Sequence, residues 1–141
     1  MTTIRKLKNH EYAQAHIEIV NDGDRIIYRL VSYKTHVATV HETAAGWFLD
    51  CYGLYSMTTR RHIGWFLDDI GSPFTFNDAK CSVQTGTIVK GYKPDARFCL
   101  VDNGVIYDPA DLQTVIDFAW HSGFRDFTVI DATTGEVVYE L

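Results

Sequence analysis

The sequence predicts an α+β protein built on antiparallel strands, and three observations carry that expectation. Ala15, Ile17 and Ile19 alternate with His16, Glu18 and Val20, the two-residue period of a half-buried strand. Asp22-Gly23 and Asn103-Gly104 lie between β-branched or aromatic runs, where residues that tolerate positive φ close hairpins. Leu112, Val115, Ile116 and Ala119 stand at i, i+3, i+4 and i+7, one face of a helix.

In chain order, the first half reads as a β-meander closing on a helix. A strand over Ala15–Val20 turns at Asn21-Asp22-Gly23-Asp24 into a second over Arg25–Tyr33. A third covers His36–His41 and a fourth Trp47–Tyr52, with Gly46 in the turn between them. Thr58–Ile70 reads as a helix capped by Thr58 or Thr59, whose hydroxyl accepts from an orphan backbone N–H. Ile63, Phe66 and Leu67 form its apolar stripe, and Gly71 ends it. The stretch Gly71–Lys80 (GSPFTFNDAK) is rich in turn formers and reads as the connection between two halves, 1–70 and 81–141, of one compact unit. Phe74 and Phe76 argue against a solvated tether there.

The second half reads as a β-hairpin followed by helix, strand and strand. Cys81–Val89 holds a strand, and Arg97–Val101 pairs with Val105–Tyr107 across Asp102-Asn103-Gly104. Asp108 caps the next helix, Pro109 takes its first position, and Asp111 sits near the positive end of its dipole. Gly123 stops it; Phe127–Ile130 and Val137–Leu141 are the closing strands around the turn Asp131–Gly135. The expected architecture is an antiparallel sheet with helices packed on one face.

Size and composition narrow the function classes. A chain of 141 residues buries roughly 68–70% of its unfolded surface and needs neither disulfide nor metal to fold. With 46% hydrophobic and 22% charged residues it is not a disordered chain. Its net charge of −5, from 13 basic and 18 acidic residues, speaks against general affinity for nucleic acid and leaves room only for a local basic patch. No apolar run approaches the roughly 20 residues of a membrane-spanning helix, and the basic start Met1–Asn9 has no apolar signal core behind it. The expected location is the cytoplasm, with no membrane partner. Cys51, Cys81 and Cys99 form no Cys-x-x-Cys pair, so three packed, reduced thiols are expected.

The most informative segment is Ser56-Met57-Thr58-Thr59-Arg60-Arg61-His62. It sets two arginines and a histidine at a helix start, where the backbone dipole is already positive; like charge there costs a few tenths to about 1 kcal/mol. Free N–H groups, two hydroxyls and two guanidiniums would suit a phosphate or carboxylate. The alternative is internal: Arg60 and Arg61 pair with Asp50, Asp68 or Asp69, and His62 bonds within the fold. With Tyr33 and Lys34 close by in the meander, the candidate binding residues are Tyr33, Lys34, Thr58, Thr59, Arg60, Arg61 and His62.

The run Ser32-Tyr33-Lys34-Thr35-His36-Val37-Ala38, followed by Tyr55-Ser56-Met57-Thr58-Thr59-Arg60-Arg61-His62-Ile63, resembles a pattern in small proteins encoded by phages, prophages and plasmids. In those proteins a Ser-Tyr-x-Thr-x-Val-Ala strand precedes a Tyr-Ser-x-Thr-Thr-x-x-His helix start. The likeness covers roughly residues 26–70. It implies an accessory protein that binds and disables a host component, host defence such as a CRISPR nuclease included, and it carries over no catalytic activity.

Other chemistry has little support. His36 and His41 are five apart and so point to opposite faces of a regular strand, and no His-Glu-x-x-His or other ligand spacing occurs; no metal and no cofactor is expected. Cysteines inside strands behave as small hydrophobes, and no Gly-x-Ser-x-Gly or phosphate-binding loop is present. The adjacent pairs Trp47-Phe48 and Trp65-Phe66 point one ring outward or against the other half, and exposed aromatics beside arginine anchor protein partners. Three readings follow: a non-catalytic protein that binds a host protein, a nucleic-acid-binding accessory protein using Arg60, Arg61 and Lys34, and a small enzyme with Tyr33, Thr59, Arg60 and His62 in a site between the halves.

Overall fold

A computed structural model describes residues 2–23, 25–91 and 96–140. Met1 of the basic start, Asp24 of the first turn and Leu141 of the last strand lie outside the described residues. The fold is α+β. Among the described residues the expected single sheet is two antiparallel sheets, one of six strands with two helices packed on it and one of four strands with a single helix. The chain forms two compact units, Met1–Lys90 and Gly91–Leu141, divided well beyond the stretch 71–80.

In the first unit β1 (Thr2–Lys6), β2 (Ala15–Asn21), β3 (Arg25–Ser32), β4 (Thr35–Thr43), β5 (Gly46–Cys51) and β6 (Ile88–Lys90) lie side by side in chain order. The register lines up Ile17, Leu30, Ala38 and Cys51 in one row across the sheet, and Ile19, Tyr28, Val40, Leu49 and Ile88 in the next. These rows face α1 (Met57–Asp69) and α2 (Phe76–Thr85), and Leu7, Ile63, Phe66, Leu67 and Phe74 complete the core. β1 carries no periodic signal, because as an edge strand it leaves Thr2, Thr3 and Lys6 exposed.

Two expectations fail in this unit for local reasons. The stretch 76–85, read as connection and strand, is α2. Thr75 and Asp78 form a reciprocal capping box, with Thr75 N–H donating to the Asp78 carboxylate at 2.7 Å. Ser82 then pins the helix to β5, accepting from Cys51 N–H at 2.8 Å. Cys81 is consequently exposed on a helix, while Cys51 and Cys99 are buried in strands. Secondly, a bulge in the β3–β4 register adds Val37 to the core face, so His36 lies on the same face as Thr39 and His41. His36 Nε2 is 2.8 Å from Thr39 Oγ1.

Asp69, at the end of α1, ties β1 and its following turn to the helix. Its carboxylate takes the Arg5 guanidinium and the Lys8 backbone N–H, the latter at 2.6 Å. Burial works to raise the Asp69 pKa, but these donors outweigh it and hold the group below its ordinary value. Asp69→Asn is expected to lose about 2 kcal/mol at pH 7, the range for hydrogen bonds to a charged group. Because the folded pKa is depressed, this contribution is present above the ordinary carboxylate range and vanishes as pH falls through the folded value. Urea denaturation of wild type and variant should therefore differ at pH 7 and differ progressively less as pH falls below the ordinary carboxylate range; equal stability at pH 7 would refute the clasp.

The second unit contains β7 (Phe98–Asp102), β8 (Val105–Ile106), α3 (Leu112–His121), β9 (Thr128–Asp131) and β10 (Val137–Glu140), with strand order β10-β9-β7-β8. Leu112, Val115, Ile116 and Ala119 are buried, as their spacing predicts. The cap is Asp111, not Asp108: its carboxylate accepts Thr114 N–H at 3.1 Å and the Thr114 hydroxyl at 2.6 Å. Pro109 is thereby outside the helix. Ala110 holds the chain extended by exchanging backbone hydrogen bonds with Phe98.

Candidate functional site

The helix start at α1 is built from Ser56, which is the cap in place of Thr58 or Thr59. Its hydroxyl accepts from Thr59 N–H at 3.2 Å. This moves Arg60 and Arg61 about half a turn further from the positive helix end than the sequence suggests. It also consumes one of the N–H groups an anion would need.

Helical geometry then splits the expected site in two. Thr59, His62, Ile63, Phe66 and Leu67 share the buried face, whereas Thr58, Arg60 and Arg61 are exposed. On the inner side Ser32, at the end of β3, joins the group: its hydroxyl lies 2.8 Å from His62 Nδ1 and 3.0 Å from Thr59 Oγ1. Thr59 Oγ1 also receives the Ser56 hydroxyl at 3.3 Å. Ser32 and His62 are each 2% exposed. Desolvation, with the positive charge of Lys6 second, lowers the His62 pKa, so the ring is neutral at pH 7.

The serine–histidine distance is that of a nucleophile and its base. Both groups are nevertheless buried under the helix start, and the Ser32 hydroxyl is shared between His62 Nδ1 and Thr59 Oγ1. The imidazole lies between Tyr33 and Trp65, each ring centroid 5.9 Å away, and Trp65 stacks on His10 at 3.7 Å. A polar cleft of about 360 Å³ opens beyond Trp65, lined by Lys8, Asn9, His10, Trp65, Asp68 and Asp69. His62 does not line it. His62→Ala is expected to destabilise the fold by roughly 3 kcal/mol, through the cavity and through the buried Ser32 hydroxyl, which loses its imidazole partner. Chemical denaturation measures this; a loss under 1 kcal/mol would show the network to be dispensable.

The outer side is different in kind. Tyr33, in the β3–β4 turn, and Tyr55, just before the cap, are 54% and 56% exposed, and both hold positive φ, 58° and 50°. Such a backbone costs an aromatic L-residue about 1–3 kcal/mol, and strain of this sort gathers at functional positions. The Tyr55 ring lies against Gly53, where an added Cβ would sit 3.0 Å from it. Met57, at the first helical position, is 66% exposed and shares the outer helix face with Arg60 and Arg61. Lys34, Thr58, Arg60 and Arg61 make no side-chain hydrogen bond or ion pair among the described residues. Of the three aspartates proposed as partners, Asp69 is engaged by Arg5 and Asp50 by the Thr87 hydroxyl, and the exposed Asp68 forms no ion pair with either arginine.

Ser32, Tyr55 and Met57 are the contributors that reasoning from residue chemistry omits. All three fall inside the Ser-Tyr and Tyr-Ser motifs, which is the signal that marks them.

Residues 2–81 match the model of a family of unknown function, DUF8033. The chain belongs to this family. The DUF8033 region runs from β1 into α2 and contains every residue of both the buried network and the exposed surface. No curated protein and no solved structure matches the chain. No described helix is long and apolar enough to cross a membrane, and no three His, Cys, Asp or Glu side chains among the described residues gather as a metal set.

Proposed function

We propose that this DUF8033 protein is a non-catalytic binding protein of mobile-element type, which occupies a surface of a host protein or complex, host defence such as a CRISPR nuclease among the candidates. The contact surface is Tyr33, Tyr55, Met57, Arg60 and Arg61. One observation carries the reading: two exposed tyrosines held at positive φ flank a helix start whose guanidiniums have no partner among the described residues. Aromatic residues and arginine dominate binding hot spots, and rigid presentation lowers the entropy lost on docking. The buried Ser32–His62 pair supports a structural base under that surface rather than a reaction centre. The phage-type resemblance of the same segments supports a host partner.

The test is affinity capture from a nuclease-treated bacterial lysate, followed by titration of the purified pair, with Arg60→Glu/Arg61→Glu and Tyr33→Asn alongside. Support is a stoichiometric host protein that both variants lose while remaining folded. Capture that both variants retain, or none at all, counts against it. Arg60, Arg61 and Lys34 also favour a second reading, contact with nucleic-acid phosphates, whose signature is affinity falling steeply with salt.

A further inference from the structure

The second unit has a surface of its own. A cleft of about 330 Å³ lies between β7, the chain leading into α3, and α3 itself, lined by Leu100, Tyr107, Asp108, Pro109, Val115 and Phe118. Its volume is at the low end of the roughly 300–1,000 Å³ typical of ligand pockets, enough for one or two side chains. Tyr107, Phe118 and Phe124 form an aromatic wall with centroid separations of 5.6–5.9 Å, and Phe118 is 46% exposed. Asp108 is exposed and makes no hydrogen bond or ion pair among the described residues, unlike Asp111, which caps α3.

Charge says what fits there. From Gly91 to Leu141 the sequence holds nine acidic residues against three basic ones, a net charge of −6, while Met1–Lys90 is nearly balanced with ten basic and nine acidic. The acidity of the chain is thus concentrated in this unit. Beside the cleft, β8 is the edge of its sheet, with Val105 and Ile106 55% and 63% exposed. An edge strand offers its outer backbone groups to an extended chain.

We infer that this cleft docks an extended basic peptide segment, placing a Lys or Arg against Asp108 and the Tyr107–Phe118 rings and an aliphatic neighbour on the apolar floor. A cation over aromatic faces beside a free carboxylate is satisfied by both. The site is independent of the surface around α1.

The experiment is fluorescence anisotropy on the full chain with a labelled octapeptide alternating Arg and Leu, and with its Gln–Leu and Arg–Ser counterparts. The Arg–Leu peptide should bind at least about tenfold more tightly than either, since charge and apolar burial both contribute. Asp108→Asn and Phe118→Ala should each weaken it about fivefold or more, with circular dichroism unchanged. Asp117→Asn, on the exposed side of α3 and outside the cleft, removes the same charge and should change affinity less than about twofold. Equal losses for Asp108→Asn and Asp117→Asn, equal binding of Arg–Ser and Arg–Leu peptides, or no binding to the Arg–Leu peptide would each overturn the inference.

Discussion

Taking the protein from pH 7 to pH 4 is expected to remove several kcal/mol of stability, most of it through His41. This side chain lies on the sheet face opposite α1 and α2, between Ile27 and Phe48 in register, and is 9% exposed. Desolvation first, then the positive charges of Arg25 and Arg29, lower its pKa from 6.5 to about 4. The same direction, with burial as the leading cause, holds for His36 and His62.

The sign follows from linkage. The unfolded chain takes up these protons near pH 6.5, whereas the folded chain resists them, so the unfolded state binds more protons below that pH. The contribution is therefore complete above pH 6.5 and is lost progressively as pH falls toward 4. At about 1.36 kcal/mol per pH unit, His41 alone accounts for about 3 kcal/mol. Against a total of about 5–15 kcal/mol for a native protein, that is a large share. Urea denaturation at pH 7, 6, 5 and 4 measures it. His41→Gln removes the titrating ring and should flatten most of the slope, whatever its stability at pH 7. A wild type equally stable at pH 7 and 5, or a variant with the full slope, would exclude this account.

On the proposed function, Arg60→Glu/Arg61→Glu should abolish binding of the host partner and leave the fold intact or slightly more stable. Both guanidiniums are exposed and without partners among the described residues, so their loss strands nothing. They also stand within two turns of a positive helix end, where the first turn of α1 holds no acidic residue. Exchanging them for carboxylates converts a weak repulsion into a weak attraction, a gain of at most a few tenths of a kcal/mol at low salt, because both lie past the first turn, where the effect of the dipole has fallen off. Binding should move the other way. If the proposed contact surface holds, removing both arginines and reversing their charge corresponds to a loss of about a hundredfold or more. Opposite movement of thermal stability and affinity is the diagnostic. A variant that loses both would mean that the arginines act on the fold, and a variant that keeps both would remove them from the surface.

Much of the fold is legible in residues that act locally. The alternation at Ala15–Val20, the Asp-Gly and Asn-Gly turns and the i, i+3, i+4, i+7 spacing at Leu112–Ala119 each encode their element within a few residues. Elements whose signal is not periodic were less readable. β1 is polar because it is an edge, and the capping pair Thr75 and Asp78 is hidden by the turn formers around it. Val37 counts as one more strand residue until its pairing with β3 shows a bulge, and with it His36 changes face.

The site divides along the same line. Chain chemistry alone was sufficient to pick out Tyr33, Lys34 and the run Thr58–His62, because charge set against a helix dipole is visible in one dimension. Their fates depend on the helix phase and on Ser32, which lies 30 positions before His62. Packing of Ile63 and Phe66 into the core turns Thr59 and His62 inward and Arg60 and Arg61 outward. Composition also concentrates the acidity in the second half, whereas the cleft that Asp108 lines exists only once Ala110 is paired with Phe98 and α3 is capped by Asp111. Residue type and short spacing are local quantities; which face a side chain occupies is a sum over contacts distant in sequence, and burial settles it.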